Sequence, residues 1–191
     1  MIFQPVLQKD IQSHQLDIYT LLDEIKYQLG EKASLVHRID AETSGLVLVS
    51  KNAFSDMVLK NMFEEKQYIK KYHALVEGQI EKSIEIDTPI TNDTGLIKIK
   101  MKTDIDGKES TTIIRPLSYD KKTNQTFLEA IPLTGRQHQI RVHLNSIGHK
   151  IIGDPIYGTS EDFTNEFLKN NISDELRIKT TKSSRLMLQA D

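Results

Sequence analysis

The sequence predicts an α+β domain whose central sheet is mostly antiparallel. Apolar and polar residues alternate at residues 68–77 as in a strand, and residues 111–115 and 126–131 are interpreted as two further strands. Only a polar turn at residues 120–124 separates the last two segments, which is typical of an antiparallel hairpin. Residues 16–29 instead space their apolar side chains three and four apart, as an amphipathic helix does. Strands joined by hairpins and interrupted by helices favour the α+β class.

The composition indicates a single globular domain that spans residues 1–191. The chain is 38% hydrophobic and 27% charged, with no repeat, low-complexity tract or linker. The absence of cysteine excludes disulfides and thiolate metal sites and allows a reducing compartment. The first residues lack a signal-peptide pattern, and no apolar run approaches the ~20 residues of a membrane span. We therefore expect a cytoplasmic protein that does not enter a membrane.

The remaining elements follow from the same patterns, with Gly30 ending the first helix. The further assignments are a short buried strand at residues 46–49, a helix starting at residues 52–55, two alternating segments within residues 84–102, a mobile insertion with one short helix at residues 159–183, and a strand at residues 185–190.

Residues 136–145 fit two different elements. Ile140, Val142 and Leu144 alternate with polar residues, which is a strand pattern. Ile140 and Leu144 also lie on one helical face, with Thr134 available as a cap and Gly148 as a stop. Periodicity alone does not decide between them.

Residues 37–51 are the stretch around which the chain is organised, because a polar turn runs directly into an apolar segment. A rigid strand end fixes the position of charged groups, while the loop leaves them accessible. Asp40 is the candidate catalytic residue, and Arg38 places a cation near it. The same residues also fit a structural turn, in which Asp40 and Ser44 bond nearby amides and Gly45 supplies a positive φ.

Basic side chains are clustered although the net charge is −2 and the isoelectric point is about 6.3. Residues 134–150 contain three cations and three histidines but no acid. Such a face suits a polyanion, although most surface charge runs are simply solvated. His138, His143 and His149 match no standard metal-ligand spacing, so phosphate binding is favoured over a metal site.

Several segments together resemble the RluA-type family of RNA pseudouridine synthases. They are residues 37–46 (HRIDAETSGL), 70–78 (KKYHALVEG), 133–144 (LTGRQHQIRVHL), 153–158 (GDPIYG) and, more weakly, 185–190 (RLMLQA). The resemblance covers about residues 16–190. It implies the pseudouridine synthase catalytic fold, with a mixed, mostly antiparallel central sheet flanked by helices and an active-site cleft across it. It also implies a helix beginning near Arg136.

The resemblance implies roles for individual residues. Asp40 would attack the target uridine, at either ribose or base, and Arg141 would pair with Asp40 and keep it ionised. Tyr72, otherwise a packed strand aromatic, would lie against the flipped base. The RNA-binding residues would be Arg38, Arg136 and His138. No metal and no cofactor is implied. The expected partner is rRNA or tRNA, and the expected state is a monomer with no obligatory protein partner.

The two ends depart from the family pattern. Residues 1–15 lack the Lys-Pro-x-Gly-type segment of relatives, Gln189 stands where relatives usually have His, and the C-terminal strand region is cut short. No separate RNA-binding module is recognised. We therefore expect a minimal or truncated catalytic domain.

Two other functions remain compatible with the sequence. The same basic cleft could belong to a catalytically dispensable RNA-binding or RNA-folding protein, for which Asp40→Ala would leave function intact. A metal-dependent hydrolase built on the histidines would lose its activity on chelation.

Overall fold

The computed structural model describes residues 20–191 and, for the backbone alone, residues 2–3. The chain forms two compact units, Met1–Ile69 and Lys70–Asp191. Within the described residues, no helix is both long and apolar enough to cross a bilayer. The atypical segment at residues 1–15 lies outside the described residues, apart from the backbone of residues 2–3.

Within its described residues, the first unit contains two helices and two short antiparallel ladders. Its elements are β1 (Ile2–Phe3), α1 (Leu21–Leu29), β2 (Ser34–Leu35), β3 (Ser44–Leu46), β4 (Val49–Ser50) and α2 (Ala53–Glu64). Strand β1 pairs with β3, and β2 pairs with β4. Both predicted helices are present, and α1 ends before Gly30 as predicted. It starts later than the predicted residue 16, because Thr20 is an extended N-cap that forms a capping box with Asp23. Helix α2 follows its N-cap Asn52. Residues 16–19 of the first predicted helix lie outside the described part.

The predicted buried strand at residues 46–49 is wrong. Strand β3 ends at Leu46 and β4 begins at Val49, so the apolar run is broken between two ladders. Leu46 and Leu48 are 45% and 41% exposed. The buried residues are instead Thr43, Ser44, Gly45 and Ser50, which flank the apolar run. A continuous apolar run cannot by itself show where a strand breaks.

The second unit is built on an antiparallel sheet. Its strands follow the order β11–β5–β10–β9–β6, and each neighbouring pair is antiparallel, as predicted. Their bounds are β5 (Tyr72–Glu77), β6 (Ile84–Asp87), β9 (Thr111–Asp120), β10 (Gln125–Pro132) and β11 (Leu188–Ala190). A separate hairpin joins β7 (Ile90–Asn92) to β8 (Met101–Thr103). Ile97 and Ile99, which the alternation assigned to a strand, precede β8 in a turn region.

Helix α3 (Gln139–Ser146) settles the ambiguity at residues 136–145 in favour of a helix. It begins three residues later than the resemblance implied, after His138 adopts a left-handed conformation. Gly148 follows its end, as expected. Ile140 and Leu144 pack with sheet residues such as Ala74 into the main core.

The polar stretch at residues 159–183 forms two helices where one was predicted. Helix α4 (Glu161–Leu168) starts at Ser160, and α5 (Asp174–Thr181) starts at Ser173, each serine accepting an amide hydrogen bond. Helix α5 has only two apolar side chains, Leu176 and Ile178, so its sequence lacks the apolar stripe that predicts a helix.

The loop at residues 153–158 is fixed by both of these helices. The Thr164 hydroxyl of α4 donates to the Pro155 carbonyl at 3.0 Å. The Gly153 amide donates to the Thr181 carbonyl of α5 at 2.8 Å. Arg177 Nη2 donates to the Gly153 carbonyl at 3.2 Å. The helices therefore hold a loop that has no regular structure of its own.

Gly153 gives a direct test of this packing. Its φ is +79°, and an added Cβ would lie 1.7 Å from the Arg185 carbonyl oxygen. Gly148 has a similar φ of +84° but open space around a Cβ. We expect Gly148→Ala to lower the free energy of unfolding by about 1–2 kcal/mol, the cost of the left-handed conformation. Gly153→Ala should cost about 3 kcal/mol or more, because the backbone must also move. Urea unfolding of both variants measures the difference, and equal losses would contradict the close packing.

Candidate functional site

Asp40 lies in a loop between β2 and β3, immediately before a tight turn. The Thr43 amide donates to the Asp40 carbonyl at 2.9 Å, which closes the turn. Thr43 and Ser44 are buried after it, and Gly45 has a φ of +112° within β3. The Asp40 side chain is half-buried. The predicted turn is therefore present, and it carries the carboxylate at the mouth of a short strand.

The base of this loop is closed by His37. Its Nε2 accepts a hydrogen bond from the Leu48 amide at 3.0 Å, beside a backbone bond from Val36 N–H to the Leu48 carbonyl at 3.1 Å. The ring stacks on Phe63 of α2 at 5.4 Å between centroids, and Phe63 stacks on Tyr68 at 4.0 Å. These contacts tie the two ends of the Asp40 loop to one another and to α2. Sequence analysis missed this role of His37.

Arg141 is held in the second unit by a buried ion pair. Its Nε and Nη2 donate to Oδ2 and Oδ1 of Asp154, both at 2.8 Å. Both side chains are 1% exposed. The guanidinium carbon also lies 5.1 Å from the centre of the Tyr157 ring. A planar fork and a ring face fix both the position and the plane of the guanidinium.

The Tyr157 hydroxyl connects three parts of this site. It accepts a hydrogen bond from the Met101 amide of β8 at 3.0 Å. It also lies 2.9 Å from Nδ1 of His138, whose ring packs edge-on against it. The ring under Arg141 is thus held by the hairpin on one side and by the start of α3 on the other.

Two further buried polar side chains of α3, those of Gln139 and His143, bond to strand β9. The Gln139 amide nitrogen donates to the Thr111 carbonyl at 2.9 Å and to the Thr112 hydroxyl at 3.0 Å. His143 Nε2 donates to the Thr88 carbonyl at 2.9 Å, so its Nδ1 accepts from the Thr112 hydroxyl at 2.9 Å. Burial lowers the pKa of His143 and outweighs the opposing effects of the Thr88 carbonyl and Asp87.

The remaining predicted site residues differ in exposure. Tyr72 begins β5 and is partly buried against the main core. Arg38 and Arg136 are exposed, and Arg136 Nε donates to the Glu109 carbonyl at 3.1 Å, which anchors its stem. His138 is only 8% exposed. The structure thus exposes two of the three residues predicted to bind RNA.

The three histidines of the basic segment have separate partners. His138 contacts Tyr157, His143 contacts β9 and Thr88, and His149 Nδ1 lies 2.8 Å from the Glu77 carbonyl. No cluster of three or more His, Asp or Glu side chains suited to a metal ion occurs in residues 20–191.

Sequence reasoning missed Asp154, Tyr157 and Gln139. The only signal for the first two was the segment GDPIYG, which was quoted for the resemblance but given no role. Gln139 lies in the segment LTGRQHQIRVHL of the resemblance, but its contacts depend on the position of β9 and could not be read from the sequence. A pairing of Arg141 with Asp154 requires the fold, since thirteen residues separate them.

Comparison with known proteins agrees with this architecture. A family model described as RNA pseudouridylate synthase matches residues 5–146. The solved structure of Human RNA Pseudouridylate Synthase Domain Containing 1 superposes with a TM-score of 0.72 at 25% identity, covering 90% of this chain and 67% of that chain. The predicted fold is confirmed by this similarity.

Two curated relatives are similar in sequence. An "Uncharacterized RNA pseudouridine synthase" of Helicobacter pylori (strain ATCC 700392 / 26695) is 42% identical, covering 78% of this chain and 51% of the relative. The "Ribosomal large subunit pseudouridine synthase C" of Rickettsia typhi (strain ATCC VR-144 / Wilmington) is 40% identical, covering 76% of this chain and 48% of the relative. The chain spans about half the length of these relatives.

Burial of neutral His143 predicts acid sensitivity. Its pKa in the folded state lies below the ordinary value of 6.5, so on acidification the unfolded state takes up the proton first. The free energy of unfolding should therefore fall as the pH drops from 6.5 toward the folded pKa, by up to about 1.4 kcal/mol per pH unit. His143→Gln removes the titration and should flatten this part of the profile, measured by urea unfolding between pH 8 and pH 5 (about the window of the shift). Identical slopes in both proteins would contradict the assignment.

Proposed function

Because this chain belongs to the RNA pseudouridylate synthase family, as its motifs predicted, we propose that it isomerises uridines in RNA to pseudouridine with Asp40 as the nucleophile. The match of the family model to residues 5–146 is the observation that carries this proposal. Because the chain spans about half the length of these curated relatives, the activity is proposed for this chain and not taken over from them.

The loop geometry supports a nucleophilic role for Asp40. A side chain that reacts with a bound base needs a fixed backbone and an accessible carboxylate. The turn closed by Thr43 and the loop base closed by His37 supply the fixed backbone. Half-burial leaves part of the Asp40 side chain open to a substrate.

Arg141 is proposed to stabilise the ionised form of Asp40. A guanidinium stays charged at any pH that the protein meets, so it can supply a constant positive potential. Its fork onto Asp154 through Nε and Nη2 fixes the position of that charge. We propose that the charge so positioned acts on the carboxylate of Asp40 when the substrate is bound.

Tyr72 is proposed to pack against the target base and to assist proton removal at C5. Its partial burial against the core fixes the ring, and its position at the start of β5 places it at a strand end. Base-stacking on an aromatic ring is tolerant of sequence, which suits contact with a flipped nucleotide.

The RNA backbone is proposed to contact Arg38, Arg136 and His138. The exposure of Arg38 and Arg136 supports contacts with phosphate. His138, which is mostly buried beside Tyr157, offers a smaller contact. We propose rRNA or tRNA as the substrate and a cytoplasmic monomer as the active species. Since uridine and pseudouridine are isomers, the proposed reaction requires no electron donor or acceptor.

Replacement of Asp40 tests the proposed reaction. Asp40→Asn keeps the size of the side chain but removes the charged nucleophile, so the pseudouridine formation rate should fall at least about a thousandfold. The measurement is pseudouridine mapping in rRNA and tRNA transcripts incubated with each protein. Glu42→Gln, two residues along the same turn, makes a matched charge change and should retain activity. Absence of pseudouridine with the wild-type protein would exclude the reaction on these RNAs, and an active Asp40→Asn variant would exclude Asp40 as the nucleophile.

Replacement of Arg136 tests the proposed phosphate contact. Arg136→Ala should weaken RNA binding similarly for different sequences and lower the slope of log K against log salt by about 1. Binding is measured by fluorescence anisotropy over a series of salt concentrations. Arg115→Ala is the matched control, because Arg115 is also exposed but lies 3.3 Å from Glu129. Equal effects of both variants would count against a specific contact at Arg136.

A further inference from the structure

The loop at residues 153–158 supplies a carboxylate and an aromatic ring that both contact Arg141. Asp154 bonds both Nε and Nη2 of Arg141, and Tyr157 lies under the guanidinium. Neither residue received a function from its sequence. Both are 2% exposed, so neither is built to meet a large substrate directly.

The backbone of its own loop also holds the carboxylate of Asp154. Its Oδ1 accepts from the Ile156 amide at 2.9 Å and from the Tyr157 amide at 3.0 Å. The same oxygen accepts from Arg141 Nη2, so one atom joins the loop backbone to the helix side chain. A carboxylate with this many donors has little freedom to rotate.

A simpler reading is that the pair only stabilises the fold. A buried ion pair is weak support for that reading, because desolvation offsets most of the attraction and an apolar pair of similar volume often serves as well. What the pair does supply is a single orientation of a charged fork. A fixed orientation of the guanidinium matters only if the guanidinium acts on another group in a defined direction.

We infer that Asp154 is a positioning residue that, together with the Tyr157 ring, holds the guanidinium of Arg141 in one orientation for the reaction. This inference rests on the proposed function for the role of Arg141. The orientation of the guanidinium does not depend on that proposal, because it follows from the contacts of Arg141 with Asp154 and Tyr157 within one unit. Asp154 acts through Arg141 and is not assigned any contact with the substrate.

The kinetic test compares single and double variants. Asp154→Asn keeps an acceptor for the loop amides but removes the charge that holds the guanidinium. We expect kcat to fall at least tenfold while KM for RNA changes less than twofold, since RNA contacts are elsewhere. In an Arg141→Lys background, which already lacks the fork, Asp154→Asn should add less than a twofold further loss. Asp162→Asn, an exposed aspartate in the first turn of α4, is the matched control and should match the wild type.

A spectroscopic test reads the orientation without activity. Arg141 Nε–H donates to Asp154 Oδ2, so its proton should exchange slowly with solvent in the nitrogen-proton spectrum of the wild-type protein. Asp154→Asn should accelerate this exchange at least tenfold. If the wild-type protein forms no pseudouridine but the exchange behaves as expected, the proposed function fails, whereas the orientation of Arg141 by Asp154 is confirmed.

The opposite outcomes overturn the inference. A wild-type kcat in Asp154→Asn, or losses that multiply fully in the double variant, would show that Asp154 does not act through Arg141. Should Asp154→Asn fail to fold, Asp154→Glu keeps the charge and displaces the carboxylate by one methylene. It should then lower kcat at least tenfold with KM for RNA unchanged, and a wild-type kcat in that variant would equally overturn the proposal.

Discussion

Helix α3 is buried from Gln139 to Leu144, and this buried part carries three polar side chains. Each of the three has a hydrogen-bond partner elsewhere in the second unit. Gln139 and His143 lie one turn apart and share Thr112 of β9. Arg141 points to another side of the helix and meets Asp154. An unpaired polar group at any of these places would cost more than the hydrogen bond itself contributes. The positions of β9 and of the 153–158 loop are therefore constrained by the helix between them.

The Arg141–Asp154 pair extends this constraint to the end of the chain. Because Asp154 must lie within hydrogen-bonding distance of Arg141, the position of the loop that carries Asp154 is fixed. Helices α4 and α5 hold that loop through Pro155 and Gly153, and the amide of Met187 donates to the Ile152 carbonyl beside it. The segment that looked like a polar insertion is thus part of the support of a buried arginine. A stretch of polar sequence can be structural when its own helices supply few apolar contacts but several hydrogen bonds.

Sequence reasoning predicted the elements whose patterns are local. The hairpin of β9 and β10, the start of helix α2 and the presence of strand β5 were all readable from spacing and turn residues. Residues 136–145 were not, because a helix buried on opposite sides loses the polar face that would mark it. Its alternation of polar and apolar residues imitates a strand, and only the partners across the fold explain why polar residues are tolerated there.

The same limit explains which site residues could be predicted. Asp40 was readable because its turn is local: the bond from Thr43 closes four consecutive residues. Arg141 was found through its motif, but its ion-pair partner, Asp154, lies in a loop thirteen positions away and its ring partner, Tyr157, lies farther still. Groups that meet a substrate tend to sit on turns with a local signature, whereas the groups that orient them are buried and belong to the tertiary structure. A search for positioning residues must therefore begin with the buried partners of a candidate charge, as Asp154 and Tyr157 show for Arg141.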